Sequence, residues 1–124
     1  MEKFLIVGAG GFFGAMCRYL VAGWAADRFG GLFPFGTLIV NIVGSFLLAL
    51  FITLSVERLL ISPAWRLFLA IGFLGAFTTF STFAWETDSL IRDAEWLAAA
   101  VNILGNVLAA LTAVKLGTVL AKLL

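Results

Sequence analysis

Four long apolar runs, each closed by charged or turn-forming residues, divide the chain from end to end. The first occupies residues 4–26 and stops at Asp27-Arg28, ahead of the Gly30-Gly31 turn signal and Pro34. The second covers 36–56 and ends at Glu57-Arg58, with Pro63 punctuating a short connection. Trp65-Arg66 opens the third, 65–91, which closes before Arg92-Asp93, and the fourth covers 96–121. A hydrocarbon core about 30 Å thick takes about 20 apolar helical residues per crossing. The pattern therefore predicts four transmembrane helices with short connections, an all-α integral membrane protein with one transmembrane domain over residues 1–124. Trp24, Trp65 and Trp96 fall near the predicted ends, where amphipathic rings sit at headgroup level.

One segment departs from this pattern. Gly72 to Phe83 reads GFLGAFTTFSTF, a mixture of glycine, hydroxyl and phenyl groups inside the third apolar run. Gly72 and Gly75 offer backbone freedom, and Thr78, Thr79, Ser81 and Thr82 offer hydroxyls that compete for backbone hydrogen bonds. The third helix is thus predicted to be broken near its centre. Irregular backbone at membrane depth persists only where protein buries it or where it lines a watery path, which makes this segment the first candidate for the functional centre.

Composition agrees with a membrane protein and removes several chemistries. The chain is 63% hydrophobic and 12% charged, against roughly 45–50% apolar residues in a soluble domain. The first apolar run is longer than the about 7–15 residues of a signal-peptide core, contains Arg18 and lacks a small-residue cleavage site. Cys17 is the single cysteine and cannot form an intrachain disulfide. With no histidine and no clustered acids, bases or metal ligands, an enzyme is the least supported class. The Gly10/Gly14 step permits close helix approach, with packing inside one subunit as its plain reading.

Charge placement leaves orientation open. If both termini share one side, that side carries Lys3, Arg58, Arg66 and Lys122 against Arg28 and Arg92 opposite, with Arg18 and Lys115 near or within spans. So thin a bias gives the positive-inside rule little to act on. Either the modest excess fixes one orientation, or the chain inserts both ways and permits an antiparallel dimer about a two-fold axis in the membrane plane.

Several polar residues stand at membrane depth. Arg18 needs a partner, a watery vestibule or an anion, unless it snorkels to an interface. Asn41 in the second span and Asn102 and Asn106 in the fourth add amides; the latter two, four apart, share a helix face. Each could be interhelical glue or a lining donor. Phe80 and Phe83, three apart, would stack on one face of a helix. Such a stripe is commonly core, but phenyl rings have positive edges that attract a small anion without carrying charge.

GTLIVNIVGS at 36–45 and GFLGAFTTFSTFAWE at 72–86, with Arg18, four spans and the total length, resemble the fluoride channels of the Fluc (CrcB) family along the whole chain. The resemblance implies an antiparallel, dual-topology homodimer in a bacterial inner membrane. It would hold two fluoride pores along the subunit interface, with the lipid bilayer and fluoride as its other partners and no nucleic acid. It also implies a structural Na+ at the crossing of the two broken third helices, held by the backbone carbonyls of Gly75 and Thr78. Phe80 and Phe83 would be pore phenylalanines, Asn41 a pore-lining donor and Arg18 a vestibule cation. Ser81 and Thr82 would add hydroxyls to a polar track, with Thr37 and Glu86 farther along it. An ionised Glu86 would repel fluoride, so it fits either as a neutral donor or as a structural carboxylate at the membrane edge. Some relatives carry tyrosine where Asn102 stands and a small hydroxyl residue at Ala110; Asn106 matches a position that is often polar and would supply a donor.

Fluoride is small and strongly hydrated, so a pore must replace its water with amides and hydroxyls while excluding larger chloride. Neutral donors and phenyl edges allow exit as well as entry. The family exports the anion passively, down the negative-inside potential, with no ATP site. A small dual-topology multidrug-type transporter would need an intramembrane acid in the first helix, where this chain has Arg18. An accessory membrane subunit would use the same polar residues only as glue and show no ion flux of its own.

Overall fold

The computed structural model describes residues 1–124 and contains four helices long and apolar enough to cross a membrane: α1 (Glu2–Phe29), α2 (Phe35–Val56), α3 (Pro63–Arg92) and α4 (Trp96–Leu123). The chain is thus an all-helical, multi-pass membrane protein. Charged residues mark where the apolar crossing ends, but the first helix outlasts them. α1 runs through Asp27-Arg28 to Phe29 and stops at Gly30, whose φ of 81° suits a residue without Cβ. Arg28 in that last turn complements the exposed carbonyls of the helix end.

The expectation that Gly72 and Gly75 would supply backbone freedom is corrected. α3 begins with the turn Pro63–Arg66, continues as a π-helix over Leu67–Leu74 and closes with the turn Gly75–Phe77. Gly75 itself is helical, at φ −61° and ψ −34°. Helical backbone lapses at Thr78 (ψ 159°) and Thr79 (φ −154°, ψ 119°) and resumes over Phe80–Arg92. Gly72 serves close packing instead: a Cβ there would lie 2.6 Å from the Val7 carbonyl oxygen and 3.0 Å from Gly10 Cα. Gly10 and Gly14 face the same seam, where a Cβ on Gly14 would overlap the Phe73 carbonyl oxygen. The glycine step on α1 is therefore used within the chain, to seat α1 against the first half of α3.

Association of helices in lipid depends on such van der Waals fit, because apolar side chains gain nothing by leaving hydrocarbon. Gly14→Val, whose Cβ would also lie 2.8 Å from the Phe73 carbonyl carbon, should cost about 1–3 kcal/mol or more by overpacking. Thermal unfolding of the detergent-purified protein checks this; an unchanged midpoint would contradict the packing.

Val40, Leu74 and Phe77 form the buried core beside the lapse in α3, with Cys17, Val21, Leu47, Phe51 and Phe73 packed around it. Phe73 and Phe77 stack at 5.8 Å between centroids. α4 lies along α2, close enough that a Cβ on Gly117 would lie 3.2 Å from the backbone nitrogen of Leu50. Lys122 at the end of α4 pairs with Glu57 at 3.3 Å, an exposed ion pair worth about 0–1 kcal/mol. Within α4, Gly105–Ala109 is π-helical and carries Asn106.

Candidate functional site

The two threonines at the lapse in α3 close one helix and start the next. Thr78 ends the first half by bonding the Leu74 carbonyl twice, through its N–H at 3.1 Å and its hydroxyl at 3.0 Å. Thr79 caps the second half: its Oγ1 accepts from the Thr82 N–H at 3.2 Å and donates to Thr82 Oγ1 at 2.9 Å. Threonine is a favoured N-cap because its oxygen satisfies one of the N–H groups a helix start leaves free.

Asn41 holds the buried Thr79 backbone in place from α2. Its Oδ1 accepts from the Thr79 N–H at 2.9 Å, and its Nδ2 donates to the Thr79 carbonyl at 3.1 Å and to Asn106 Oδ1 at 2.9 Å. One amide thus satisfies the Thr79 N–H that helical bonding has abandoned and adds a bond to the carbonyl at the helix start, which is how irregular backbone survives at this depth. Gly44, one turn along α2, packs so closely that a Cβ there would overlap the Thr78 methyl group.

The carbonyls of Gly75 and Thr78 are among those that lose their helical partners in this arrangement. In a continuous helix the Gly75 carbonyl would accept from Thr79 N–H and the Thr78 carbonyl from Thr82 N–H. Those donors go instead to Asn41 Oδ1 and Thr79 Oγ1. Gly75 is exposed and Thr78 half-buried, so both carbonyls are hard, neutral oxygens of the kind that suit Na+.

Three cavities follow the second half of α3. One of about 250 Å³ is lined by Asn41, Ser45, Thr79, Phe80, Phe83 and Asn106 among others, with no charged group. A second, about 390 Å³, lies on the other side of Thr79 and is lined by Arg18, Tyr19, Thr37, Thr82 and Glu86. The third, about 290 Å³, shares Thr37 and Glu86 with the second and opens among the Gly30–Pro34 loop, Ser89 and Asp93 at the end of the bundle. Arg18 forms no ion pair with a carboxylate and is the one basic residue lining the second cavity. Thr37 donates to Glu86 Oε1 at 2.9 Å, while Glu86 Oε2 is buried without a partner.

The phenyl pair is split in exposure, with ring centroids 5.4 Å apart and planes tilted 58°. Phe83 is 9% exposed and Phe80 is 79% exposed on the outer face of the chain. Ser81 is exposed and lines none of the three cavities. The structure thus gathers Asn41, Phe80, Phe83 and Asn106 around one cavity and Arg18, Thr37, Thr82 and Glu86 around the next, with Thr79 shared. Sequence reasoning did not single out Ser45, Tyr19 or the Thr79 peptide as site groups.

A family model described as CrcB-like protein, Camphor Resistance (CrcB), matches residues 5–118. The chain belongs to the CrcB family. CrcB relatives cover it from end to end. A protein of Sulfurihydrogenibium sp. (strain YO3AOP1) named fluoride-specific ion channel FluC is 44% identical over 124 residues, all of both chains. A protein of the same name from Geotalea daltonii is 45% identical over 122 residues, 98% of each chain. One from Geobacter metallireducens is 47% identical over 112 residues, 90% of each chain.

Proposed function

We propose that this CrcB-family chain is a fluoride-selective passive channel of a bacterial inner membrane that exports cytoplasmic F−. The observation that carries the reading is the pair of cavities meeting at Thr79, one rimmed by phenyl rings and amides without charge, the other by Arg18, hydroxyls and the Glu86 carboxyl group that Thr37 bonds. The relatives' shared name, fluoride-specific ion channel, points the same way. An anion would be drawn to Arg18 in the vestibule, pass the Thr82 and Thr79 hydroxyls, and meet phenyl edges at the constriction, beside amides whose N–H groups are held by protein acceptors. Neutral donors at the narrow point bind fluoride without trapping it.

The assembled form we propose is an antiparallel, dual-topology homodimer with two pores along the subunit interface. Phe80 supports this, because a phenyl ring 79% exposed beside the uncharged cavity would gain a wall from a second copy. Where the two third helices cross, the Gly75 and Thr78 carbonyls of both chains would hold a structural Na+, which would fasten the pair and would not be transported. Exchanging Na+ for the larger organic cation N-methyl-D-glucamine should lower the dimer's unfolding temperature and its fluoride flux together; unchanged values would remove the ion from the account.

Expression in bacteria lacking a fluoride exporter tests the function. Growth in millimolar-range fluoride should be restored by this chain and not by its Asn41→Asp variant. Equal sensitivity with and without the chain would overturn the reading and favour an accessory subunit.

A further inference from the structure

The amides at the centre form a single directed chain, and its direction is dictated from one end. The Thr79 N–H demands an oxygen and the Thr79 carbonyl demands an N–H, so only one orientation of the Asn41 amide satisfies both. Asn41 Nδ2 then faces Asn106, which must present Oδ1, at 2.9 Å. Asn106 Nδ2 is thereby turned to Asn102, donating to its Oδ1 and its backbone carbonyl at 3.0 Å each. Asn102 Nδ2 in turn donates to Thr87 Oγ1 at 2.9 Å, and the Thr87 hydroxyl donates to the Phe83 carbonyl at 2.7 Å. Asn102 is fully buried, and Thr87 and Asn106 are 8% and 6% exposed, so no bulk water competes.

We propose that Thr87 and Asn102 are positioning residues of the fluoride path, the far end of a hydrogen-bond relay that holds the Asn106 and Asn41 amides in place beside Thr79 and anchors the Phe83 backbone. The proposal rests on the channel reading above. Neither residue lines the uncharged cavity; both act through those that do. Removing the Thr87 acceptor leaves Asn102 Nδ2 without a partner in a buried site, which favours a shift of its side chain toward another acceptor. As Asn102 shifts, the acceptors it offers Asn106 Nδ2 loosen, and with them the hold of Asn106 Oδ1 on Asn41 beside Thr79. The π-helical segment carrying Asn106 fits such a role, since the wider turn lets its side chain reach the carbonyl of Asn102.

The test uses full-length protein in liposomes, comparing Thr87→Val, which keeps shape, with Thr87→Ser, which keeps the hydroxyl. Fluoride efflux per reconstituted chain should fall about tenfold in Thr87→Val and stay within about twofold in Thr87→Ser. In an Asn106→Ala background Thr87→Val should remove less than about twofold more, because the relay is already cut. The full drop in both backgrounds, or none in either, would overturn the proposal.

A second readout needs no flux. In nitrogen-15-labelled protein in micelles, Thr87→Val should shift the side-chain amide resonances of Asn106 and Asn41, although Thr87 touches neither. Unmoved resonances would overturn the relay. Moved resonances with no wild-type fluoride flux would uphold it and overturn the channel reading instead. Should Thr87→Val fail to assemble, Asn102→Leu cuts the same link and is read by the same two measurements.

Discussion

Asn41→Asp should reduce fluoride flux by about a hundredfold or more while the protein still elutes as an assembled species. The asparagine makes three hydrogen bonds, two as donor and one as acceptor, to Thr79 and Asn106. A carboxylate keeps the bond from Thr79 N–H but turns an acceptor toward two others, the Thr79 carbonyl and Asn106 Oδ1. Each buried group left unpaired costs about 1–3 kcal/mol, and about 1.4 kcal/mol is a factor of ten. The variant also sets a negative charge beside an anion path. Efflux within about threefold of wild type would return Asn41 to the role of helix glue.

Phe80→Ile should cut flux about tenfold or more without loss of stability, and it separates pore function from packing better than any other substitution here. At 79% exposure the ring contributes little to the fold of its own chain, so the usual cost of truncating a buried aromatic does not arise. Isoleucine retains apolar bulk but lacks the positive ring edge that would face an anion. Phe83→Ile should show a comparable loss of flux together with a lower unfolding temperature, because Phe83 is buried and packs at 5.4 Å from Phe80. Normal flux in both variants, measured on folded protein, would remove the phenyl rings from the path.

The four crossings were legible because the bilayer imposes a length on apolar runs that local packing does not alter. Charged residues misplaced the end of the first helix, since Asp27-Arg28 leave hydrocarbon without leaving the helix. Of the two causes of irregularity assigned to the segment around TTFSTF, glycine freedom and hydroxyl competition, only the first was misread. Gly72 looked like a source of freedom, whereas contact with Val7 and Gly10 constrains it. The hydroxyls of Thr78 and Thr79 do the capping. The same-face placement of Asn102 and Asn106 followed from helical spacing. The direction of their hydrogen bonds did not, because a peptide on a different helix sets it through Asn41, 38 residues away from Thr79 in the chain. The exposure of Phe80 was equally illegible, since helical spacing fixes which residues are neighbours and not which of them faces outward.

Fluoride efflux from liposomes holding the purified protein, driven by a potassium gradient with valinomycin and followed with a fluoride electrode against a chloride control, tests the central claim most directly. The account predicts rapid fluoride release with little chloride release, abolished by Asn41→Asp. Absence of fluoride release from folded, reconstituted protein, or equal release of both anions, would contradict it.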